Sequence, residues 1–165
     1  MPQALAKRID LGFDGIPEGA QIVGNELLLA ELAGNLIDNA IRYTPSGGVV
    51  TVRVRAPGGG QPSHPHTGVV LEVEDSGIGI APGERELVFE RFYRVLGGSA
   101  AGANLDGSGL GLSIVREIAF QHRALVRIGG GRDGAGSVFS VTFPAAVAAS
   151  TRPAVPQAAG APLNC

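Results

Sequence analysis

Cysteine is all but missing: the 165-residue chain carries one, Cys165, and it is the last residue. A disulfide framework or a cysteine-based metal site within one chain is therefore excluded, and so thiol-poor a composition suits a reducing cytoplasm. Aromatic residues are scarce, 5% with no tryptophan against 44% hydrophobic, so the core must be aliphatic. There is no basic run and the net charge is -2; without a basic patch or stacked aromatics, nucleic acid is not an expected partner. No apolar stretch approaches the ~18 residues that a membrane span needs. The first ten residues lack the hydrophobic region of a signal peptide, so no membrane contact is expected from this stretch of protein. What the chain has instead is glycine, 26 residues, and proline, 11, gathered into a few short stretches. Its length fits one domain better than two.

Residues 7–14 alternate weakly and predict a first strand. Residues 25–43 place Leu28, Leu29, Leu32, Leu36, Ile37 and Ala40 at helical spacing, with Asn25 as N-cap and a Thr-Pro-Ser-Gly-Gly stop from Thr44. Residues 49–55 and 69–74 alternate as strands and predict a hairpin with a long Gly/Pro/His connection. Residues 84–94 are short and helical in part. Residues 95–107 are small, polar and glycine-rich and read as a mobile loop. Residues 110–122 form an amphipathic helix with Leu112, Ile114, Val115, Ile118 and Ala119 on one side. Residues 124–128 and 137–143 are two strands joined by a glycine turn. Antiparallel strands mixed with helices predict an α+β two-layer sandwich over residues 1–144. The Ala/Pro-rich residues 145–165 predict a disordered tail.

Four clusters could hold a nucleotide. Glu31, Asn35 and Asn39 are spaced i, i+4, i+8, one slowly drifting polar stripe opposite an aliphatic face; amide oxygens suit an oxygen-seeking cation such as Mg²⁺, although two Asn at this spacing are as easily mere solvent-facing residues. Asp75-Ser-Gly-Ile-Gly-Ile80 puts a carboxylate at a strand end before alternating glycines, which let backbone approach a flat heterocycle; a tight turn with a capping Asp would look the same. Gly107, Ser108, Gly109, Leu110, Gly111 and Leu112 open a helix, and glycines leading into a helix N-terminus offer free N–H groups to an anion. The spacing matches neither the dinucleotide fingerprint nor a P-loop. Phe92, Tyr93 and Arg94 could anchor the neighbouring loop and reach a phosphate, or form an ordinary hydrophobic hinge. Singly each cluster is ambiguous; four in this order are specific.

In that order the chain resembles the GHKL (Bergerat-fold) ATPases, and within them the sensor histidine kinases of two-component systems. Asn35-Leu-Ile-Asp-Asn39-Ala-Ile-Arg-Tyr43 is similar to the N box and Asp75-Ser-Gly-Ile-Gly79 to the G1 box. Residues 89–94 are similar to the F box, 107–112 to the G2 box, and Gly134-Ala-Gly136 to a closing glycine motif. The runs around Tyr93 and from Gly109 resemble the tricarboxylate-sensor and quorum-sensor kinases of proteobacteria most. The resemblance spans roughly residues 7–144. It implies a mixed, mostly antiparallel sheet with about three helices on one face. It also implies a cofactor pair, ATP and Mg²⁺, and roles by position. Asn39 would bind Mg²⁺ through its side-chain oxygen, with Asn35 assisting and Glu31 near the metal's waters. Asp75 would take the adenine amino group, Gly77, Gly79 and Ile80 would shape the base pocket, and Tyr43 would lie against the base. Arg42 would face the phosphates and Arg94 the γ-phosphate, making Asn35, Asn39 and Arg94 the catalytic set. Residues 95–108 would form an ATP lid, with Phe92 at its start and the backbone of residues 109–112 holding phosphates.

Hydrolytic members of that superfamily resemble each other in carrying Glu where this chain has Asn35, and an amide cannot serve as a general base at neutral pH. The resemblance therefore implies a kinase, with a hydrolysing ATPase or an anti-sigma-type serine kinase as the alternatives. The nucleophile would be a histidine on a separate dimerisation and phosphoacceptor domain upstream, and a response regulator would be the onward partner. This chain would be the cytoplasmic part of an inner-membrane sensor. None of its own histidines fits the acceptor role: His64 and His66 flank a proline in a loop, and His122 ends a helix, where a cation is welcome.

Overall fold

The computed structural model describes residues 2–15, 20–56, 67–94 and 108–145. The sequence expectations for Gly107, for residues 95–107 of the lid, for His64 and His66, and for the tail beyond residue 145 lie outside the described residues.

Helix α1 (Pro2–Ala6) is followed by β1 (Asp10–Asp14), α2 (Glu26–Tyr43), β2 (Val49–Arg55) and β3 (Thr67–Asp75), then by α3 (Gly111–Gln121), β4 (Leu125–Gly130) and β5 (Ser137–Pro144). The five strands form one sheet in the order β1-β2-β3-β5-β4. Only β1 and β2 run parallel; the pairs β2–β3, β3–β5 and β4–β5 are antiparallel. That single parallel pair is the one whose connection contains a long helix, α2, as a parallel crossover requires.

Alternation along the strands sends Val50, Val52, Val73, Phe139, Val141 and Phe143 to one face of the sheet, where they are buried. On that face they meet Leu32, Leu36, Ala40 and Ile41 of α2 and Val115, Ile118 and Ala119 of α3. Leu32 and Leu36 are wholly buried; removing each from water is worth about 1.5–3 kcal/mol. The opposite face carries charge instead, with Arg53 diagonal to Glu74 and Arg55 to Glu72. The molecule is thus a two-layer α+β sandwich with its helices on one side, as the sequence predicts.

The sequence reading of α2 holds in detail: Asn25 is its N-cap, and the Asn25 side chain accepts from the Leu27 and Leu28 N–H groups at 3.0 and 3.3 Å. One reading changes. The first strand begins at Asp10 rather than residue 7, because residues 2–6 make a short helix that ends where Arg8 takes a left-handed φ of 53°. The helical part of residues 84–94 is a three-residue 3-10 turn, Leu87–Phe89, preceded by another at Pro82–Glu84.

Candidate functional site

Between α2, the end of β3 and the start of α3 lies a cavity of about 180 Å³. A single water needs roughly 10–15 Å³, so the space suits a ligand an order of magnitude larger. Its lining includes Asn35, Asn39, Arg42 and Tyr43 from α2, Asp75, Gly79 and Ile80 from the turn after β3, and Arg94, Ser108, Gly109, Gly111 and Leu112. Twelve of the expected site residues therefore converge on one space.

Helix α2 delivers its share because its apolar stripe is committed to the sheet, leaving the stripe with Asn35 and Asn39 turned away from it. The Asn35 amide is oriented: its Nδ2 donates to the Glu31 carbonyl at 2.9 Å. Its Oδ1 lies on the side of α3, where a methyl group on Gly111 would come within 2.9 Å of it. An amide oxygen directed at the first turn of another helix is a fitting ligand for a hard cation that also touches anionic groups there.

The α3 start is open. Leu110 holds the N-cap position and among the described residues no side chain caps it, which leaves the first-turn N–H groups and the positive end of the helix dipole at the cavity. Gly109, with φ 69°, makes the close turn into the helix, and its backbone meets that of Phe92, itself left-handed at φ 65°. The Phe92 N–H donates to the Gly109 carbonyl at 3.0 Å.

Asp75 is 6% exposed. Its Oδ1 accepts from the Gly77 N–H at 2.8 Å and the Ser137 N–H at 3.3 Å. Burial pushes its carboxyl above the usual range, the two N–H groups partly opposing this. The glycines around it are demanded by space. A side chain on Gly77 would strike the Tyr43 carbonyl at 2.6 Å, and one on Gly136 (φ 75°) would overlap the Asp75 carbonyl oxygen.

Four expected residues fall elsewhere. Glu31 is exposed one helical turn before Asn35 and does not line the cavity. Gly77 supports Asp75 from behind rather than lining the space. Phe92, 70% exposed, and Leu110 line a shallow apolar groove on the outer side of α3 instead. Six further residues line the cavity: Ile78 and Tyr93, which lie in clusters singled out from the sequence, and Asp38, Val88, Ser137 and Phe139, which were given no role there. Asp38 stands seven residues after Glu31, on the same helical stripe, and that spacing could have found it. His122 is the C-cap of α3, as expected, and its Nε2 accepts the Asn25 N–H at 3.1 Å.

A helix-covered, mostly antiparallel sheet with a polar helix face, a strand-end carboxylate and an open helix N-terminus around one cavity defines the Bergerat fold. Residues 24–147 match the family model described as "Histidine kinase-, DNA gyrase B-, and HSP90-like ATPase", and the chain belongs to that family. It is 45% identical over 122 residues to the signal transduction histidine-protein kinase/phosphatase MprB of Mycobacterium leprae, covering 74% of this chain and 21% of that one. It is 38% identical over 151 residues to the sensor protein kinase PmrB of Pseudomonas aeruginosa, covering 92% and 29%. Among solved structures, a mycobacterial sensor histidine kinase MprB superposes with a TM-score of 0.69 at 31% identity, covering 87% of this chain and 88% of that one. Full-length ShkA in complex with AMPPNP superposes at 0.67 and 30%, covering 89% and 28%. The chain thus spans under a third of the length of these two curated relatives. The likeness to sensor histidine kinases seen in the sequence is borne out.

Proposed function

We propose that this domain binds Mg²⁺-ATP and presents the γ-phosphate to a histidine on a separate dimerisation and phosphoacceptor domain of a two-component sensor kinase. The observation that carries the reading is the convergence of Asn35 and Asn39, Asp75, and the uncapped start of α3 on one cavity. The adenine amino group donates to the Asp75 carboxylate, and Tyr43 and Ile80 flank the base. The phosphates meet the N–H groups of the first turn of α3, with Arg42 and Arg94 supplying positive charge. Asn39 and Asn35 would hold Mg²⁺, which when bound neutralises phosphate charge. In the transfer, an imidazole nitrogen of the acceptor histidine bonds to the γ-phosphorus as the bond to the β–γ bridging oxygen breaks. ADP leaves, and the acceptor domain takes up the imidazole proton. With an amide at Asn35, no side chain at that position activates water, so the domain keeps ATP intact until the histidine arrives. The domain is the cytoplasmic part of an inner-membrane sensor, and a response regulator receives the phosphoryl group. Among the described residues no helix is long and apolar enough to cross a membrane.

The test pairs labelled ATP with this chain, alone and with a separately purified acceptor hairpin from a sensor kinase. Binding with little phosphate release alone, and label on the hairpin histidine when it is added, is the expected result. Fast steady hydrolysis by the chain alone would point to an ATPase, and label on serine to the anti-sigma-type alternative.

A further inference from the structure

Lys7 lines no part of the cavity. It is the only lysine of the chain and precedes the residues that the family model covers. Its Nζ donates to the carbonyl oxygens of Arg42 at 2.7 Å, Ile41 at 3.0 Å and Thr44 at 3.1 Å. All three ammonium protons are thus spent on the last turn of α2, where carbonyls lack partners within the helix. The main chain reinforces this grip, the Gly47 N–H donating to the Lys7 carbonyl and the Asp10 N–H to that of Gly48, each at 2.9 Å. Burial, and then the neighbouring Arg42 guanidinium, lower the Lys7 ammonium from its usual range.

One carbonyl of that turn, Tyr43, is not bonded to Lys7, and it abuts Gly77 so closely that a methyl group there would sit 2.6 Å from it. Gly77 in turn donates to Asp75 Oδ1, the oxygen that also receives the Ser137 N–H. The contacts run without a gap from the Lys7 ammonium, through the backbone of residues 41–44, to the carboxylate at the cavity. The side chains of Arg42 and Tyr43, carried on the same turn, line the cavity as well.

We infer, on the nucleotide reading above, that Lys7 is a positioning residue of the ATP site: it fixes the last turn of α2 and, through the Tyr43–Gly77 contact, the orientation of the carboxylate that receives the base. The segment before β1 is then part of the binding machinery, although it never meets the ligand.

The test compares the wild-type chain with Lys7→Met and Lys7→Arg by amide hydrogen exchange without ligand and by calorimetric titration with Mg²⁺-ATP. In Lys7→Met, exchange at the Gly77 and Ser137 amides speeds up about tenfold while β4 amides keep their rates, and Kd for ATP rises about tenfold. Lys7→Arg, still a multiple donor, recovers most of both. Unchanged exchange at Gly77 and Ser137, or equal acceleration at every amide, overturns the inference, since Lys7 would then act on general stability alone. A wild-type chain that binds no ATP sinks the proposed function, whereas the exchange rates at Gly77 and Ser137 still decide the role of Lys7. Should Lys7→Met not fold, Lys7→Gln, with a shorter donor, gives the same pattern at smaller amplitude; wild-type rates at Gly77 in a folded Lys7→Gln overturn it equally.

Discussion

The two long helices begin in opposite ways. At the start of α2, the Asn25 side chain closes on two N–H groups and the Asn25 N–H is taken by His122. At the start of α3, Leu110 offers no cap, and the first turn opens on the cavity. Orphan N–H groups at a helix start are costly only when they are buried without a partner. A helix end that serves architecture therefore closes on itself, and one that serves an anionic ligand stays open at some cost to the empty protein. The difference teaches which end is functional before any ligand is known.

The largest break in that contrast is expected from Asp75→Asn at the far end of the ligand. It keeps an oxygen for the Gly77 and Ser137 N–H groups but removes the charge that receives the base. ATP affinity measured by calorimetry should fall roughly 30-fold, since a hydrogen bond to a charged group is worth about 1.5–3 kcal/mol, without loss of melting temperature. Gly111→Ala comes next: the new methyl group displaces Asn35 Oδ1 and crowds the open turn, and ATP affinity should drop about tenfold while circular dichroism stays unchanged. At the closed end, Asn25→Ala should do the reverse, lowering stability in urea by about 1 kcal/mol and leaving ATP affinity untouched. An affinity loss there would erase the distinction between the two ends. Smallest is Gly34→Ala, in mid-α2 with open space around it, which should add about 0.5–1 kcal/mol of stability.

Acidity separates binding from stability at Asp75. Its folded pKa is raised by burial, so the native state favours the proton. Its contribution to stability is fully present below the unfolded pKa and is lost as pH rises through the folded one. Binding runs the other way, because the protonated carboxyl no longer accepts as an anion. As pH falls through the raised pKa, still above the ordinary carboxylate range, ATP affinity should weaken while the Asp75 contribution favours the fold. Titrations of Kd and of the urea midpoint across that window check both signs, with Asp75→Asn as the control that flattens them.

Most of the sheet and both long helices were legible because their periods are long enough to read: α2 runs 18 residues with a Leu/Ala stripe and a capping Asn. Helix α1, five residues starting at proline, is too short to show a period, and it is held by tertiary contacts such as buried Ala4. Within the site, the polar stripe and the glycine clusters announced themselves by composition. Ser137 and Phe139 did not, because they reach the cavity only through the pairing of β5 with β3, 62 residues from Asp75 in the case of the Ser137 bond. Val88 was hidden for a similar reason, being placed by an irregular turn rather than by a repeat. Phe92 and Leu110 were expected at the site from the family resemblance, Phe92 at the start of the lid and Leu110 through its backbone; both line the groove on the other side, where Phe92 is left-handed and tied to Gly109.

Helix α2 turns Leu32, Leu36, Ala40 and Ile41 into the core and Asn35, Asn39, Arg42 and Tyr43 toward the cavity. Inserting or deleting one residue midway would rotate everything beyond it by about 100°, swinging oily side chains into the ligand space and amides into the sheet together. A single exchange along this rod touches either packing or binding, whereas a frame change of one position disables both in the same stroke.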